Sequence, residues 1–307
     1  MDQTALGLRT TAARKSFKVN SGQNNHFLIT ILVGLDAVST GRAELSPDFS
    51  TSWSPKDVNR SALRSREYAI KTSLAWITDL VDEYRKSITK MSGVLDGKTV
   101  SRIESEDGRS LRLRKTAKAL GLGETPEELL VRLAIHWRNL VVHSAGRRNL
   151  DRPLRNRLEE SAEHFARVNR GLDISSAIIR AEAGEAPRFK EIASIISAAH
   201  DLVQQIDTSV VAMIDLEKHA DVIIGHYLAN LIASGETNCF AKLWPGSTDK
   251  TSGRLRQILL QSGMSPVGPN ECSLAPTYIE RFVALTPSEA RRRFSAQTAT
   301  GDEIESR

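Results

Sequence analysis

Residues 59–90 read NRSALRSREYAIKTSLAWITDLVDEYRKSITK, and their spacing decides the fold class. Leu63, Ile70, Leu74, Ile77, Val81, Tyr84 and Ile88 recur at steps of three and four apart from one gap, the period of an α-helix that buries one face. The gap falls at Glu67, which puts a carboxylate on the face meant for the core. An ionised carboxylate buried without a partner is expensive, so Glu67 needs a cationic or hydrogen-bonding neighbour, or a place at the open end of a bundle. A helix apolar on one stripe has to bury it against another element, and because nearly all of the segments that follow also read as helical, an all-α bundle is the expected architecture.

The flanking segments extend that reading. Thr125 is a good N-cap, Pro126 suits the first helical position and Glu128 supplies a capping-box acid, so a helix is strongly specified from Pro126 to about Ser144, with Gly146 as its stop. Before it, residues 91–109 read as a glycine-containing loop, and Arg109–Leu120 as a short basic helix ended by Gly121 and Gly123. After it come a basic helix around Leu154–Val168, a link from Gly171 to Gly184, and a long helical region from Pro187 to about Ala233 broken near Asp207 or Asp215. Upstream, the polar residues 1–25 are expected to be mobile, Phe27 to Val38 step helically although they would also suit a buried strand, and Ala43–Asp57 reads as a loop. Beyond Gly235, short helices at Arg254–Gln261, Tyr278–Leu285 and Ser288–Phe294 lie among glycines and prolines. The expected organisation is a partly disordered N-terminal extension over 1–57, a helical bundle over 58–234 and a small irregular appendage over 235–307.

Composition fits this picture. The 307 residues carry 42 Lys+Arg against 37 Asp+Glu, a formal charge of +5, with 40% hydrophobic and 26% charged residues. That is globular composition, and it excludes collagenous, disulfide-stapled and wholly disordered classes. The longest apolar run, Phe27 to Val33 continuing to Leu35, is well short of the roughly 18 residues that span a bilayer, and no secretory signal precedes it. A cytoplasmic location is expected. Cys239 and Cys272 lie far apart with no Cys-x-x-Cys, and read as reduced structural thiols rather than zinc or redox groups. No phosphate-binding glycine loop, His-Glu-x-x-His or Gly-x-Ser-x-Gly occurs, so no cofactor or metal is expected.

The stretch with chemical content is His136-Trp137-Arg138-Asn139-Leu140-Val141-Val142-His143, at the end of the well-capped helix. At about 100° per residue, Asn139 and His143 stand one above the other, and Arg138 projects to one side of Asn139. His136 and His143 fall in series with Leu129, Leu133 and Leu140, on the packing side. A histidine there can simply satisfy orphan carbonyls and gain from the helix dipole. Phosphodiester cleavage also needs a proton-exchanging group near neutral pH and a fixed cation, roles that histidine and arginine fill.

Arg138-Asn139-Leu140-Val141-Val142-His143 resembles the hallmark of the HEPN superfamily, an Arg followed after four to six residues by His, often with a polar residue directly after the Arg. The resemblance covers roughly residues 58–230. It implies an up-and-down helical bundle pairing two protomers across the motif helices and, in active members, a metal-independent RNA endonuclease of the toxin or antiviral-defence kind. His143 would then handle the 2′-hydroxyl or leaving-group proton, Arg138 the phosphorane charge, and Asn139 the orientation of either. Members often carry a further acidic or polar residue in the first long helix, a part that Glu67 is expected to take. His136 reads better as a core histidine than as an assistant. Arg147, Arg148 and Arg152 after the motif, and Arg114 and Lys115 before its helix, are candidate RNA contacts, with a solvated face paired to acids as the plain alternative. The expected partners are RNA, a second copy of the chain and possible antitoxin or partner proteins; the rival readings are a non-catalytic nucleotide- or partner-binding module of this family and a structural helical scaffold.

Overall fold

The computed structural model describes all residues except 1–4, 45, 47, 49–52, 54, 143–148, 237, 269–270 and 300–307. Among the described residues the chain is all-α, with fourteen helices and one pair of two-residue strands. In order these are β1 (Leu6–Gly7), α1 (Ala12–Ser39), α2 (Val58–Thr89), α3 (Gly97–Glu104), α4 (Arg109–Ala119), α5 (Pro126–Val142), α6 (Arg152–Glu160), α7 (Ala162–Val168), α8 (Ile174–Ala183), α9 (Phe189–Met213), α10 (Leu216–Ala233), α11 (Cys239–Leu243), α12 (Thr248–Gln261), β2 (Ser265–Pro266), α13 (Pro276–Val283) and α14 (Pro287–Ala299). None of the described helices is long and apolar enough to cross a membrane. The chain divides into two compact units, residues 13–89 with 97–206, and residues 1–12 with 90–96 and 207–307. These bounds differ from the extension, bundle and appendage drawn from the sequence.

In the first unit α5 packs against α2, α4, α6 and α8. Glu128 to Ile135 are all buried, as is Trp137, so α5 runs through the core rather than over it. On α2 the apolar series from Ile70 onward is buried as the period predicts, but Leu63 is 61% exposed and Glu67 is exposed. The first turns of α2 instead bury the small residues Ala62, Ala69 and Ser73. At the last of these the Ser73 carbonyl accepts from the Asn24 amide of α1 at 3.2 Å. The buried stripe thus begins one position earlier than expected, and Glu67 faces solvent.

Four further segments differ from the sequence reading. Residues 12–25, expected to be mobile, belong to α1, whose buried stripe is Phe17, Ser21, Asn24, Leu28 and Leu32. Its two polar members are satisfied, Ser21 by His200 at 2.9 Å and Asn24 by Ser73. The loop expected over 91–109 contains α3, and the Gly171–Gly184 link contains α8, capped by Asp173, whose carboxylate accepts from the Ser176 amide at 3.1 Å. The helix expected over 154–168 is interrupted at Ser161, between α6 and α7.

In the second unit the long helical region breaks at Ile214–Asp215, where the Asp215 carboxylate caps α10 through the Lys218 amide at 3.1 Å. Asp207 lies inside α9 and is buried, accepting from the Thr10 hydroxyl and the Thr11 amide at 3.0 and 3.1 Å. Residues beyond 235 are not an irregular appendage. Their helices close around Phe240, Trp244, Tyr278, Phe282 and Phe294, with the Trp244 and Phe282 rings 5.0 Å apart and the Trp244 indole donating to the Phe282 carbonyl at 2.9 Å. β1 pairs antiparallel with β2, and a Cβ on Gly7 would come within 2.2 Å of the Cys272 carbonyl oxygen, so only glycine fits there. Cys239 is buried, whereas Cys272 is an exposed free thiol rather than a structural one.

Candidate functional site

Helix α5 carries the motif, and its start is fixed locally. The Glu128 amide donates to Thr125 Oγ1 at 3.2 Å, the first half of the expected capping box. The second half is missing: the Glu128 carboxylate turns inward to Arg114, at 3.1 Å, and Arg132, at 3.6 Å. Arg132 also reaches Glu124 at 3.1 Å and Ser110 at 3.2 Å, and Arg157 reaches Glu124 at 3.0 Å. Two carboxylates and three guanidiniums therefore knit α4, α5 and α6 together, with Glu128 completely buried among them.

At the far end of α5 the indole of Trp137, fully buried, donates to the Glu185 carbonyl at 2.7 Å. This bond fixes the rotation of the helix, and the next residue, about 100° around, is Arg138. Its guanidinium is 15% exposed, with Asp79 Oδ1 at 3.5 Å and Asn139 Oδ1 at 3.4 Å. Arg109 from α4 pairs with the same Asp79 oxygen, so one carboxylate of α2 holds two guanidiniums.

Behind Asp79 the charges continue along α2. Asp82 meets Arg85 and Lys86, each at 3.0 Å, and Arg85, 1% exposed, also pairs with Glu104 of α3. Burial opposes the Asp82 carboxylate, yet the hydrogen bonds from Lys86 and Arg85 outweigh it and hold its pKa below the ordinary value. The Arg85 hydrogen bond likewise lowers that of Glu104. Thr78, Asp82, Arg85 and Thr89 are all buried at steps of four, three and four. They form a second, polar stripe beside the apolar one, a periodic signal in the sequence that points to this network.

Of the residues singled out from the sequence, the structure brings Arg138 and Asn139 together at the end of α5. His143, Arg147 and Arg148 lie outside the described residues. Glu67 is not brought to Arg138's carboxylate partner: it stands 79 − 67 = 12 residues before Asp79, about 18 Å along the same helix. The acid of the first long helix that meets Arg138 is Asp79. His136 is half-buried; near it, burial opposes the Glu182 carboxylate, but hydrogen bonds from Arg155 and the Leu150 amide hold its pKa below the ordinary value. Arg114 is engaged with Glu128 and Glu124, Lys115 pairs with Glu106 at 2.9 Å, and Arg152 is exposed at the first turn of α6.

The arrangement offers a guanidinium with a carboxylate behind it and an amide beside it. Because the Asp79 side chain is 40% exposed, its ion pairs contribute little to folding. Asp79→Ala should therefore cost less than about 1 kcal/mol in urea unfolding. A larger loss would mean that Asp79 is a structural keystone rather than a holder of Arg138. Compared with known proteins, the chain matches no family model, no curated protein and no solved structure.

Proposed function

We propose that the protein is an HEPN-type endoribonuclease of the toxin or antiviral-defence kind, working as a homodimer across the ends of the motif helices without a metal cofactor. The observation that carries this reading is the setting of Arg138: a largely buried guanidinium next to Asn139, steadied by Asp79 at the end of a helix locked by Trp137. In the reaction, a base takes the proton of the RNA 2′-hydroxyl while its oxygen attacks the neighbouring phosphorus. The bond to the 5′-oxygen breaks, that oxygen takes up a proton, and a 2′,3′-cyclic phosphate is left. His143 is the group in the motif able to exchange a proton near neutral pH. Arg138 stabilises the charge on the equatorial oxygens, and Asn139 orients its neighbours. Two copies around a two-fold axis would supply one imidazole on each side of the phosphate.

The test is RNA incubated with the purified full chain in excess chelator. Cleavage leaving cyclic phosphate ends is expected, falling by about 100-fold or more in Arg138→Ala and in His143→Ala. Intact RNA, or cleavage indifferent to both changes, overturns the reading. The burial of Arg138 and its pairing with Asp79 favour one rival, a helical scaffold. Under that reading no RNA is cut, and Arg138→Ala is registered only as a loss of stability.

A further inference from the structure

A cavity of about 610 Å3 opens between α1, the turn after α7, and α9, lined by none of the residues of the Arg138 cluster. Its volume lies inside the roughly 300–1,000 Å3 range of small-molecule sites. The residues that give it chemical character are Ser21, Asn169, Arg170, Phe189, Lys190 and His200, and no carboxylate is among its described lining residues. The Lys190 ammonium donates to the Gly171 carbonyl at 3.3 Å, and it would lie 3.7 Å from a Cβ on Gly171. Lys190 of α9 thus reaches the turn that carries Arg170, and the cavity's described lining holds two cationic side chains and no acid. A cavity lined by two cations and no acid favours an anion.

The turn itself adds a second observation. Among the described residues Arg170 is the one non-glycine residue with positive φ, at 51°. It stands at the left-handed position after α7, where the Gly171 amide closes the helix end on the Ala166 carbonyl at 2.7 Å. Glycine is the residue suited to that position, and a side chain there strains the backbone. Strain carried by a long cationic side chain at a cavity rim marks a place where that side chain has a use. In the same lining, the His200 ring is fixed by Ser21 at 2.9 Å and by Phe17, ring centroids 5.3 Å apart. Burial pushes its pKa down, so it offers a neutral hydrogen-bonding edge rather than a third charge. Phe189, 45% exposed, and Val168, 51% exposed, supply apolar surface at the rim.

We propose that this cavity binds a phosphomonoester with an apolar body, its phosphate against Arg170 and Lys190 and its body against Phe189. A dianion with three terminal oxygens suits two cations backed by the Asn169 amide and nearby serine hydroxyls better than a monovalent carboxylate does. The proposal is independent of the ribonuclease reading.

Calorimetric titration of the full chain with phenyl phosphate, inorganic phosphate, benzoate and phenol tests it. Phenyl phosphate is expected to bind at least about tenfold more tightly than the other three. Arg170→Gly separates ligand contact from folding, because glycine relieves the left-handed strain: its Tm should hold or rise while phenyl phosphate binding weakens by about tenfold or more. Lys190→Ala should weaken binding similarly. Absence of phenyl phosphate binding, equal binding of benzoate or inorganic phosphate, or affinity unchanged in both variants overturns the proposal.

Discussion

Trp137→Ala should lower the unfolding free energy by about 3–5 kcal/mol, seen as an earlier urea midpoint by far-ultraviolet circular dichroism. The indole is fully buried, in a helix that packs against four others, so its removal leaves a cavity that the surrounding core cannot close. It also orphans the Glu185 carbonyl, which now accepts from the indole at 2.7 Å. Trp137→Phe keeps most of the apolar volume and loses the bond, so it should cost only about 1–3 kcal/mol. The distinction matters for the candidate site. Trp137 sets the rotation at which Arg138 meets Asp79, and a variant that folds but leaves α5 free to turn should lose more of any Arg138-dependent activity than of its stability. A loss below about 1 kcal/mol in Trp137→Ala would show that this end of α5 is not locked as described.

How far the sequence reveals this arrangement depends on whether the partner of each residue is close along the chain. The start of α5 is legible because Thr125, Pro126 and Glu128 are neighbours, and the Thr125 hydroxyl caps the Glu128 amide. The apolar face of α2 is legible from Ile70 onward for the same local reason. Helix α1 is not, because two of its buried positions are Ser21 and Asn24, whose partners lie 179 and 49 residues away. Without those partners a stripe of that composition reads as solvent-facing. Glu67 interrupts an apolar series read from Leu63, but at the start of α2 the buried positions are Ala62 and Ala69 instead, which leaves Leu63 and Glu67 exposed. Asp79 has no such local mark. Its importance comes from Arg109 and Arg138 converging on it from two other helices. In the second unit, glycines and prolines suggest irregularity, while the i, i+4 pairs Phe240 with Trp244 and Tyr278 with Phe282 were the signal of a core.

The inward turn of Glu128 leads to a pH dependence whose direction is fixed by its surroundings. Arg114 of α4 and Arg132 of α5 favour its ionised form, and Glu124 opposes it; burial outweighs the arginines, and the pKa is pushed up to about 7. The Oε1 atom accepts no hydrogen bond among the described residues, and Arg132 at 3.6 Å is too distant to supply one. A carboxyl group with a higher pKa when folded holds its proton more tightly in the native state. Its contribution to stability is therefore complete at acid pH and is lost as pH rises from the unfolded value of 4.5 through about 7. The loss amounts to about 3 kcal/mol at most. Asp82, Glu104, Glu127 and Glu182 have lowered values and push the opposite way, but they are common to wild type and variant and cancel in a comparison. Glu128→Gln imitates the protonated acid. Its urea midpoint should match wild type below about pH 4 and exceed it at pH 8, by up to about 3 kcal/mol in free energy. A variant less stable than wild type at pH 8 would mean that the two guanidiniums overcome burial, making Glu128 the ionised centre of the α4–α5–α6 cluster; a pH-independent difference would mean that it does not titrate in this range at all.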